Sequence, residues 1–263
     1  EEFKRFTIAN YLSQSELREE LIKDVRFGLS ANQKFLLPKY FYDPTGSALF
    51  EKITQLPEYY PTTSEWDLLK SVAPKIIGEL RPSEIVELGS GSSTKTKLLL
   101  DTFTRTNKPT TYIPFDVSLE AIKLAGDSLL FEFPTLNIHG IVGDFERHLD
   151  KIPPSKERRL ILFLGSTIGN FDASSRHSFL MQVRRQMGPE DRLLLGVDLQ
   201  KDVNQLESAY NDSQGVTAEF NKNILHVVNQ HLHANFNVPE YNHVAFYNRK
   251  EARIEMHLTP NKA

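Results

Sequence analysis

From residue 84 onward, short apolar runs alternate with segments that have the periodicity of amphipathic helices. The apolar runs predict five strands, in residues 84–89, 111–118, 136–145, 159–171 and 192–199. Helical segments follow the first, second and fourth runs, in residues 93–103, 119–133 and 175–187. Strands buried on both faces have continuous apolar sequences, and their alternation with helices is typical of a parallel sheet with helices on each side. We therefore predict an α/β fold built on a doubly wound, Rossmann-like parallel sheet.

The first 80 residues have mostly helical patterns. Ser15 is a candidate N-cap for a first helix, and a turn at residues 43–46 precedes a second, short helix. Thr62 or Thr63 could cap a third helix that starts near Glu65. Several aromatic residues lie in the proline-containing stretch around these turns. They suggest either the wall of a ligand pocket or the ordinary packing of a helical layer.

After residue 198 the strand and helix alternation ends. Residues 202–236 have helical patterns, and residues 243–259 form two alternating strands about an Asn-Arg-Lys turn. We expect a sheet domain and a second subdomain, to which both the N-terminal helices and this C-terminal segment contribute. The predicted boundaries are residues 1–64 for the N-terminal helical segment, 65–198 for the sheet core and 199–263 for the C-terminal helices and hairpin.

Composition favours a small-molecule ligand. The chain is 40% hydrophobic and 25% charged with a net charge of −3, which gives no sign of a nucleic-acid or membrane partner. The absence of cysteine excludes disulfides and thiolate metal sites. We predict no metal, because His226, His231 and His233 lie on different faces of one helix. The apolar runs are too short to cross a bilayer and the first residues lack a signal-peptide pattern, so we expect a cytoplasmic protein.

The turn after the first predicted strand, ELGSGSSTK, has the pattern of a nucleoside-binding loop. Gly89 and Gly91 permit a tight turn and a close approach of the backbone to a ligand. A dinucleotide-binding protein would have a third glycine where Thr94 stands, which weakens the alternative of an NAD-dependent oxidoreductase. S-adenosylmethionine (SAM) needs only the first part of the loop, since it carries a methionine carboxylate and an adenosine but no pyrophosphate. SAM is therefore the predicted cofactor.

Acidic residues end the second and third predicted strands. Asp116 is placed to accept hydrogen bonds from both ribose hydroxyls, and Asp144 from the adenine amino group, with Phe145 covering the ring. Each aspartate alone could also be a helix cap or a turn residue. The fourth run ends in GSTIGNF, where Asn170 supplies an amide close to the expected position of the methyl group. A turn-forming asparagine is the alternative interpretation.

Several segments together resemble the histidine Nα-methyltransferase family of ergothioneine biosynthesis. They are PKYFYDPTGSALFEKITQLPEYYPT, ELGSGSSTKT, PFDVS, GDFE, LFLGSTIGNF, LLLGVDLQKD and YNDSQGVTAEFNKN, and they extend from about residue 25 to the C-terminus. The resemblance implies a class I methyltransferase fold and SAM-dependent methylation of the α-amine of an amino acid. The implied reaction converts L-histidine to Nα,Nα,Nα-trimethylhistidine (hercynine). Fungal relatives in the wider family methylate other amines derived from amino acids, which leaves a different amine substrate open.

The resemblance also implies roles for individual residues. The cofactor-binding positions are Tyr42, Gly89, Lys95, Asp116, Asp144 and Phe145. The positions around the amino-acid substrate are Phe50, Tyr59, Gly165, Asn170 and Tyr210, with Thr217 and Phe220 as weaker candidates. Asn170 and Tyr210 would hold the α-carboxylate and the amino end. Tyr59 and Tyr210 could instead be core tyrosines whose hydroxyls are satisfied.

One departure from the family pattern concerns the C-terminus. The family continues for several tens of residues after the IEMHL strand, with a glutamate and a serine that contact the imidazole ring, a helix and two further strands. This sequence stops at Ala263, which indicates either a shortened sequence or a naturally short chain. If the natural chain is short, we expect the fifth predicted strand to be an exposed edge and histidine recognition to be incomplete. A non-catalytic SAM-binding protein is therefore kept as an alternative to the enzyme.

Overall fold

The computed structural model describes residues 5–105, 110–155 and 157–261 and contains two compact units. The sheet unit comprises the described residues up to Leu12 together with Ser64–Asp198. The helix–hairpin unit comprises Ser13–Thr63 together with the described residues from Leu199 onward. Each unit has its own apolar core and is described by itself below. That the helix–hairpin unit binds substrate stays a prediction.

The chain begins with one strand and three helices, continues with alternating strands and helices, and ends with two helices and a hairpin. In chain order they are β1 (Phe6–Asn10), α1 (Gln14–Ser30), α2 (Pro44–Ile53), α3 (Tyr60–Leu80), β2 (Glu84–Leu88), α4 (Lys97–Phe103), β3 (Thr110–Asp116), α5 (Leu119–Glu132), β4 (Leu136–Val142), β5 (Arg159–Phe163), α6 (Ala173–Arg185), β6 (Arg192–Leu195), α7 (Val203–Ala209), α8 (Val216–Leu232), β7 (Tyr241–Asn248) and β8 (Arg253–Pro260). Among these helices, none is both long and apolar enough to cross a membrane.

The central sheet is parallel throughout, with the strand order β1-β4-β3-β2-β5-β6. The chain moves outward from β2 to β3 and β4, and then returns to place β5 on the other side of β2. The order therefore reverses between β2 and β5. In open α/β sheets, ligands bind beyond the carboxyl ends of the strands at such a switch point.

Both faces of this sheet are covered. Ile85 and Leu160 belong to the apolar cluster on one face, and their chain neighbours Val86 and Ile161 belong to the cluster on the other. Successive side chains of a strand point to opposite faces, so a strand with a core on each side is apolar at most of its positions. This is the origin of the continuous runs in the sequence, and the predicted α/β fold is confirmed.

The strand β1 shows that two predictions were wrong. The first residues were predicted to be helical, and the sheet was predicted to have five strands. It pairs in parallel with β4, from Phe6 beside Ile138 to Asn10 beside Val142. The ring of Phe6 packs where Gly126 has no side chain, since a Cβ there would lie 2.2 Å from the ring. The strand is short and partly exposed, and its partner is distant in the sequence, so no local apolar run indicates it.

The starts of three helices also differ from the prediction. Ser13, and not Ser15, caps α1 by accepting a hydrogen bond from the N–H of Glu16 at 3.2 Å. The helix α3 begins at Tyr60, before the predicted start near Glu65, because a proline is favourable in a first helical turn. The helix α4 begins only at Lys97, after a stretch in which Ser93 has a φ of 54° that no helix contains.

In the helix–hairpin unit, α8 is the central element. It packs against α1, α2 and the antiparallel hairpin of β7 and β8, whose register runs from Tyr241 beside Pro260 to Asn248 beside Arg253. The prediction of two strands about an Asn-Arg-Lys turn is therefore confirmed. The core of this unit contains Phe41, Ile53, Leu56, Ala209, Phe220, Ile224, Leu225 and Val238.

Candidate active site

The glycine-rich turn after β2 has a left-handed backbone at both predicted glycines. The φ angles are 72° at Gly89 and 49° at Gly91, a region that residues with a Cβ rarely occupy. The N–H of Gly89 and that of Ser90 donate to the carbonyl of Phe115 at 2.8 and 3.2 Å. The turn is thereby held against the end of β3.

Asp116, at the end of β3, contacts this turn directly. Its carboxylate accepts hydrogen bonds from the N–H groups of Gly91 and Ser118, both at 2.9 Å. Burial raises the pKa of Asp116, although these backbone hydrogen bonds act in the opposite direction. Each carboxylate oxygen has two acceptor sites, so this geometry is compatible with a further hydrogen bond from a ligand hydroxyl.

The end of β4 joins the same cluster. The N–H of Gly143 donates to the carbonyl of Asp116 at 2.9 Å, and Asp144 is buried with 8% of its surface exposed. A Cβ built on Gly89 would lie 3.7 Å from the ring of Phe145. The structure therefore brings together the glycine turn and the two acidic strand ends that the sequence identified separately.

A buried carboxyl group beneath the turn was not identified from the sequence. Glu87, in β2, accepts hydrogen bonds from the hydroxyls of Thr96, at 2.6 Å, and Tyr112. Ser93 donates in turn to the Tyr112 hydroxyl at 2.8 Å, so the network reaches back into the turn. Burial raises the pKa of Glu87 to about 7. A glutamate inside an otherwise apolar run was the signal that could have revealed it.

The turn after β5 carries two further predicted residues. Gly165 has a φ of 73°, and a 3-10 turn of residues Thr167–Asn170 follows it. The Thr167 hydroxyl donates to the carbonyl of Leu164 at 2.9 Å. Gly165 and Asn170 are both exposed to solvent at this end of the sheet. The sheet unit therefore holds these two of the predicted substrate positions.

Lys95, predicted to bind the cofactor, forms an ion pair with Glu65 of α3. The same carboxylate accepts hydrogen bonds from the N–H of Gly165, at 2.8 Å from Oε1 and 3.0 Å from Oε2. In the sequence, Glu65 marks only the expected start of a helix. Nothing in its local pattern indicates a contact with a glycine 100 residues away.

Four predicted residues form a continuous aromatic group in the helix–hairpin unit. Ring centroids are 5.7 Å apart between Tyr42 and Phe50, 6.3 Å between Phe50 and Tyr59, and 5.8 Å between Tyr59 and Tyr210. Each pair meets edge to face, which is a favourable arrangement for aromatic rings. Phe220, a weaker candidate, packs against Tyr42 and Phe50. Tyr42, predicted for the cofactor, thus lies in the same group as three residues predicted for the substrate.

Tyr210 is held by a hydrogen-bonded chain that the sequence analysis missed. The Nε2 of His243 donates to the carbonyl of Tyr210 at 2.9 Å, and the amide of Asn221 donates to Nδ1 of the same ring at 2.9 Å. Burial lowers the pKa of His243, which favours the neutral ring that this pattern requires. The amide of Asn221 also donates to the carbonyl of His257 at 3.1 Å. The chain connects α8, both hairpin strands and the end of α7.

These features define a class of protein. A parallel sheet with a reversal of strand order, a left-handed glycine turn and two carboxylates at adjacent strand ends is the arrangement of an α/β protein that binds a nucleoside ligand. These residues fit SAM. Gly89 has no side chain beside the Phe145 ring, and the carboxyl groups of Asp116 and Asp144 can accept hydrogen bonds from ribose hydroxyls and an adenine amino group.

Comparison with known proteins gives the family. A sequence model described as "Histidine-specific methyltransferase, SAM-dependent" matches residues 21–263, and the chain belongs to this family. The chain is 47% identical to the histidine N-alpha-methyltransferase of Mycolicibacterium smegmatis over 98% of its own length and 80% of that protein. It is 44% identical to the corresponding Mycobacterium tuberculosis protein over 97% and 79%, respectively. The family, the enzyme class and the SAM cofactor predicted from the sequence are confirmed.

A more distant similarity extends to fungi. The chain is 35% identical to ergothioneine biosynthesis protein 1 of Schizosaccharomyces pombe over 72% of this chain, which corresponds to 26% of that much longer protein.

Proposed function

We propose that this chain transfers methyl groups from SAM to the α-amine of L-histidine, and that repeated transfer yields the trimethylated product. The observation that carries the proposal is the meeting of the Gly89 turn, Asp116 and Asp144 at one end of the sheet. The names of the mycobacterial relatives, which match nearly the whole chain, support histidine as the substrate.

The sheet unit would hold the cofactor. Asp116 would accept hydrogen bonds from the ribose hydroxyls, Asp144 would accept one from the adenine amino group, and Phe145 would cover the ring. Lys95 would attract the methionine carboxylate. When bound, SAM supplies a methyl group already activated by a positive sulfur, so the reaction needs no covalent enzyme intermediate.

The protein must present a neutral amine in line with the bond that breaks. The α-ammonium of the substrate would first lose a proton, to a tyrosine or to water, so that the nitrogen lone pair is free to attack the methyl group. Holding reactants in this geometry can contribute roughly 7–11 kcal/mol. Asn170, exposed at the end of β5, would bind the polar end of the amino acid.

The aromatic group would favour the products of successive methylation. Each methyl group moves the substrate toward a permanent, weakly hydrated cation, which aromatic faces attract by about 0.5–2 kcal/mol per contact. Tyr42, Phe50 and Tyr59 provide such rings in the helix–hairpin unit. This gives a physical reason for transfer to continue beyond the first methyl group.

The direct test is incubation with SAM and a panel of free amino acids, followed by mass detection of products. We expect histidine to gain up to three methyl groups and the other amino acids to react much more slowly. Methylation of another amine in preference to histidine would support a different substrate. Stabilisation by S-adenosylhomocysteine (SAH) without any turnover would support a non-catalytic SAM-binding protein.

Substitution of the proposed substrate residues tests their roles. We expect Asn170→Ala and Tyr210→Phe to raise the KM for histidine roughly 10- to 100-fold, because a hydrogen bond to a charged group contributes about 1.5–3 kcal/mol. The Kd of SAH, measured by calorimetry, should change less than about twofold. Asn235→Ala removes an exposed amide outside the proposed site and is the matched control. Equal losses of SAH and histidine binding would contradict the proposed roles.

A further inference from the structure

The Glu65 carboxylate occupies an unusual position at the end of the sheet. It extends from the first turns of α3, and 14% of its side chain is exposed. Both of its oxygens accept from the N–H of Gly165, and one also pairs with the ammonium of Lys95. One side chain therefore connects the turn after β2 with the turn after β5.

The carboxylate also lies against the backbone at the end of β6. A Cβ built on Gly196 would lie 2.1 Å from Oε1 of Glu65 and 3.2 Å from the Cα of Leu164. The N–H of Gly196 donates to the carbonyl of Phe163 at 2.9 Å, which keeps this backbone in place. Any side chain at residue 196 would therefore displace the Glu65 carboxylate from this position.

The two turns that Glu65 connects carry different proposed functions. Lys95 belongs to the cofactor side and Gly165 leads into the turn that ends at the substrate residue Asn170. Gly165 has a left-handed backbone, and a Cβ on it would lie 3.6 Å from Nζ of Lys95. The relative placement of these turns sets the distance between the groups that would hold the two reactants.

We propose that Glu65 is a positioning residue for methyl transfer, which fixes the Gly165–Asn170 turn relative to Lys95. This inference rests on the proposed function. A misplacement of about 1 Å can reduce a rate about 100-fold when alignment is the main catalytic contribution. Glu65 would thus affect turnover without touching either reactant. Because it shares the ammonium of Lys95, it would also weaken the attraction of Lys95 for an anionic group of the cofactor.

The test compares Glu65→Gln with the wild type. A glutamine oxygen can still accept from Gly165, but the amide cannot form an ion pair with Lys95. We expect kcat to fall at least about 10-fold, while SAH binds as tightly as to the wild type or more tightly. Slower turnover with undiminished binding is the result that a merely structural role would not give, since partial unfolding lowers the number of SAH sites.

Two further variants make the test independent of one substitution. Gly196→Ala leaves Glu65 intact but displaces its carboxylate, and should lower kcat in the same way. Asp67→Asn changes an exposed acid in the same helix and should leave kcat within about twofold. A Glu65→Gln enzyme with kcat within about twofold of wild type, or with SAH sites lost in proportion to activity, would overturn the proposal.

A readout without turnover separates this proposal from the proposed function. We expect Glu65→Ala to increase the rate of amide hydrogen exchange in residues 164–170, because the Gly165 N–H loses its acceptor. If the wild type methylates no amino acid, the proposed function fails, and this exchange rate still decides whether Glu65 holds the turn. Unchanged exchange there would refute the positioning role by itself.

Discussion

Glu87 shows how one buried residue can make stability depend on pH. In the unfolded chain its carboxyl group has a pKa near 4.5, and in the folded protein burial raises the pKa to about 7. Between these values the folded state holds a proton that the unfolded state has released. The resulting stabilisation is fully present below about pH 4.5 and is lost as the pH rises through about 7.

We expect Glu87→Gln to remove this pH dependence. A pKa shift from 4.5 to about 7 corresponds to about 3 kcal/mol, since one unit is about 1.4 kcal/mol. The free energy of unfolding in urea, measured at about pH 5 and about pH 8, should therefore fall with pH in the wild type and much less in the variant. Asp127→Asn, which changes an exposed acid, serves as the control. If the free energy of unfolding changed equally with pH in the wild type and in Glu87→Gln, Glu87 would not be the source of the pH dependence.

At the scale of the element, α8 depends on an acid that precedes it. Asp212 accepts hydrogen bonds from the N–H groups of Thr217, Val216 and Gln214 at 2.7, 3.0 and 3.1 Å. The residue directly before the helix, Gly215, has no side chain that could do this. Burial acts against the charge of Asp212, but the hydrogen bonds outweigh it and lower the pKa of the carboxyl group. The Asp212 carboxylate therefore caps the first turn of α8, the central helix of this unit.

We expect Asp212→Ala to destabilise the protein by about 1–2 kcal/mol, as the loss of a helix cap does elsewhere. Asp212→Asn keeps an acceptor oxygen and should cost less, which makes it the matched control. Because the folded pKa is lowered, the contribution of Asp212 is present above its unfolded pKa and is lost as the pH falls through the folded one. Urea unfolding curves at neutral pH would contradict this role if both variants matched the wild type.

At the scale of the whole molecule, the proposed ligand roles divide between the two units. The glycine turn and the acidic strand ends lie in the sheet unit, and the continuous aromatic group lies in the helix–hairpin unit. A ligand that binds only the folded state stabilises it by about 2.7 kcal/mol at 100 times its Kd. Local protection from hydrogen exchange should show which unit each ligand contacts.

We expect SAH alone to slow amide exchange in residues 88–96 and 143–146, where the cofactor would contact the backbone. Residues 50–59 and 210–220 should gain further protection only when histidine is added as well. Mass spectrometry of peptides from the free, SAH-bound and doubly bound protein provides the measurement. Strong protection of residues 50–59 and 210–220 by SAH alone would contradict the division of roles.

The sequence by itself determined the sheet core and its glycine-rich turn. Strands covered on both faces are apolar at most positions, glycine is favoured where φ is positive, and parallel strands bring their acidic ends to one edge. Each of these rules acts over a few residues, so each leaves a local pattern. They were sufficient for the fold class, for the Gly89 turn and for the meeting of Asp116 with Asp144.

Only the tertiary structure decided the contacts that join distant segments. The pairing of β1 with β4, the contact of Glu65 with Gly165 and the bond from His243 to Tyr210 all link segments far apart in the chain. Which residues make these contacts depends on how the packed elements face one another. A partly exposed polar side chain has no periodic pattern of neighbours from which its contact could be predicted. Such contacts arise from packing, which no local pattern records.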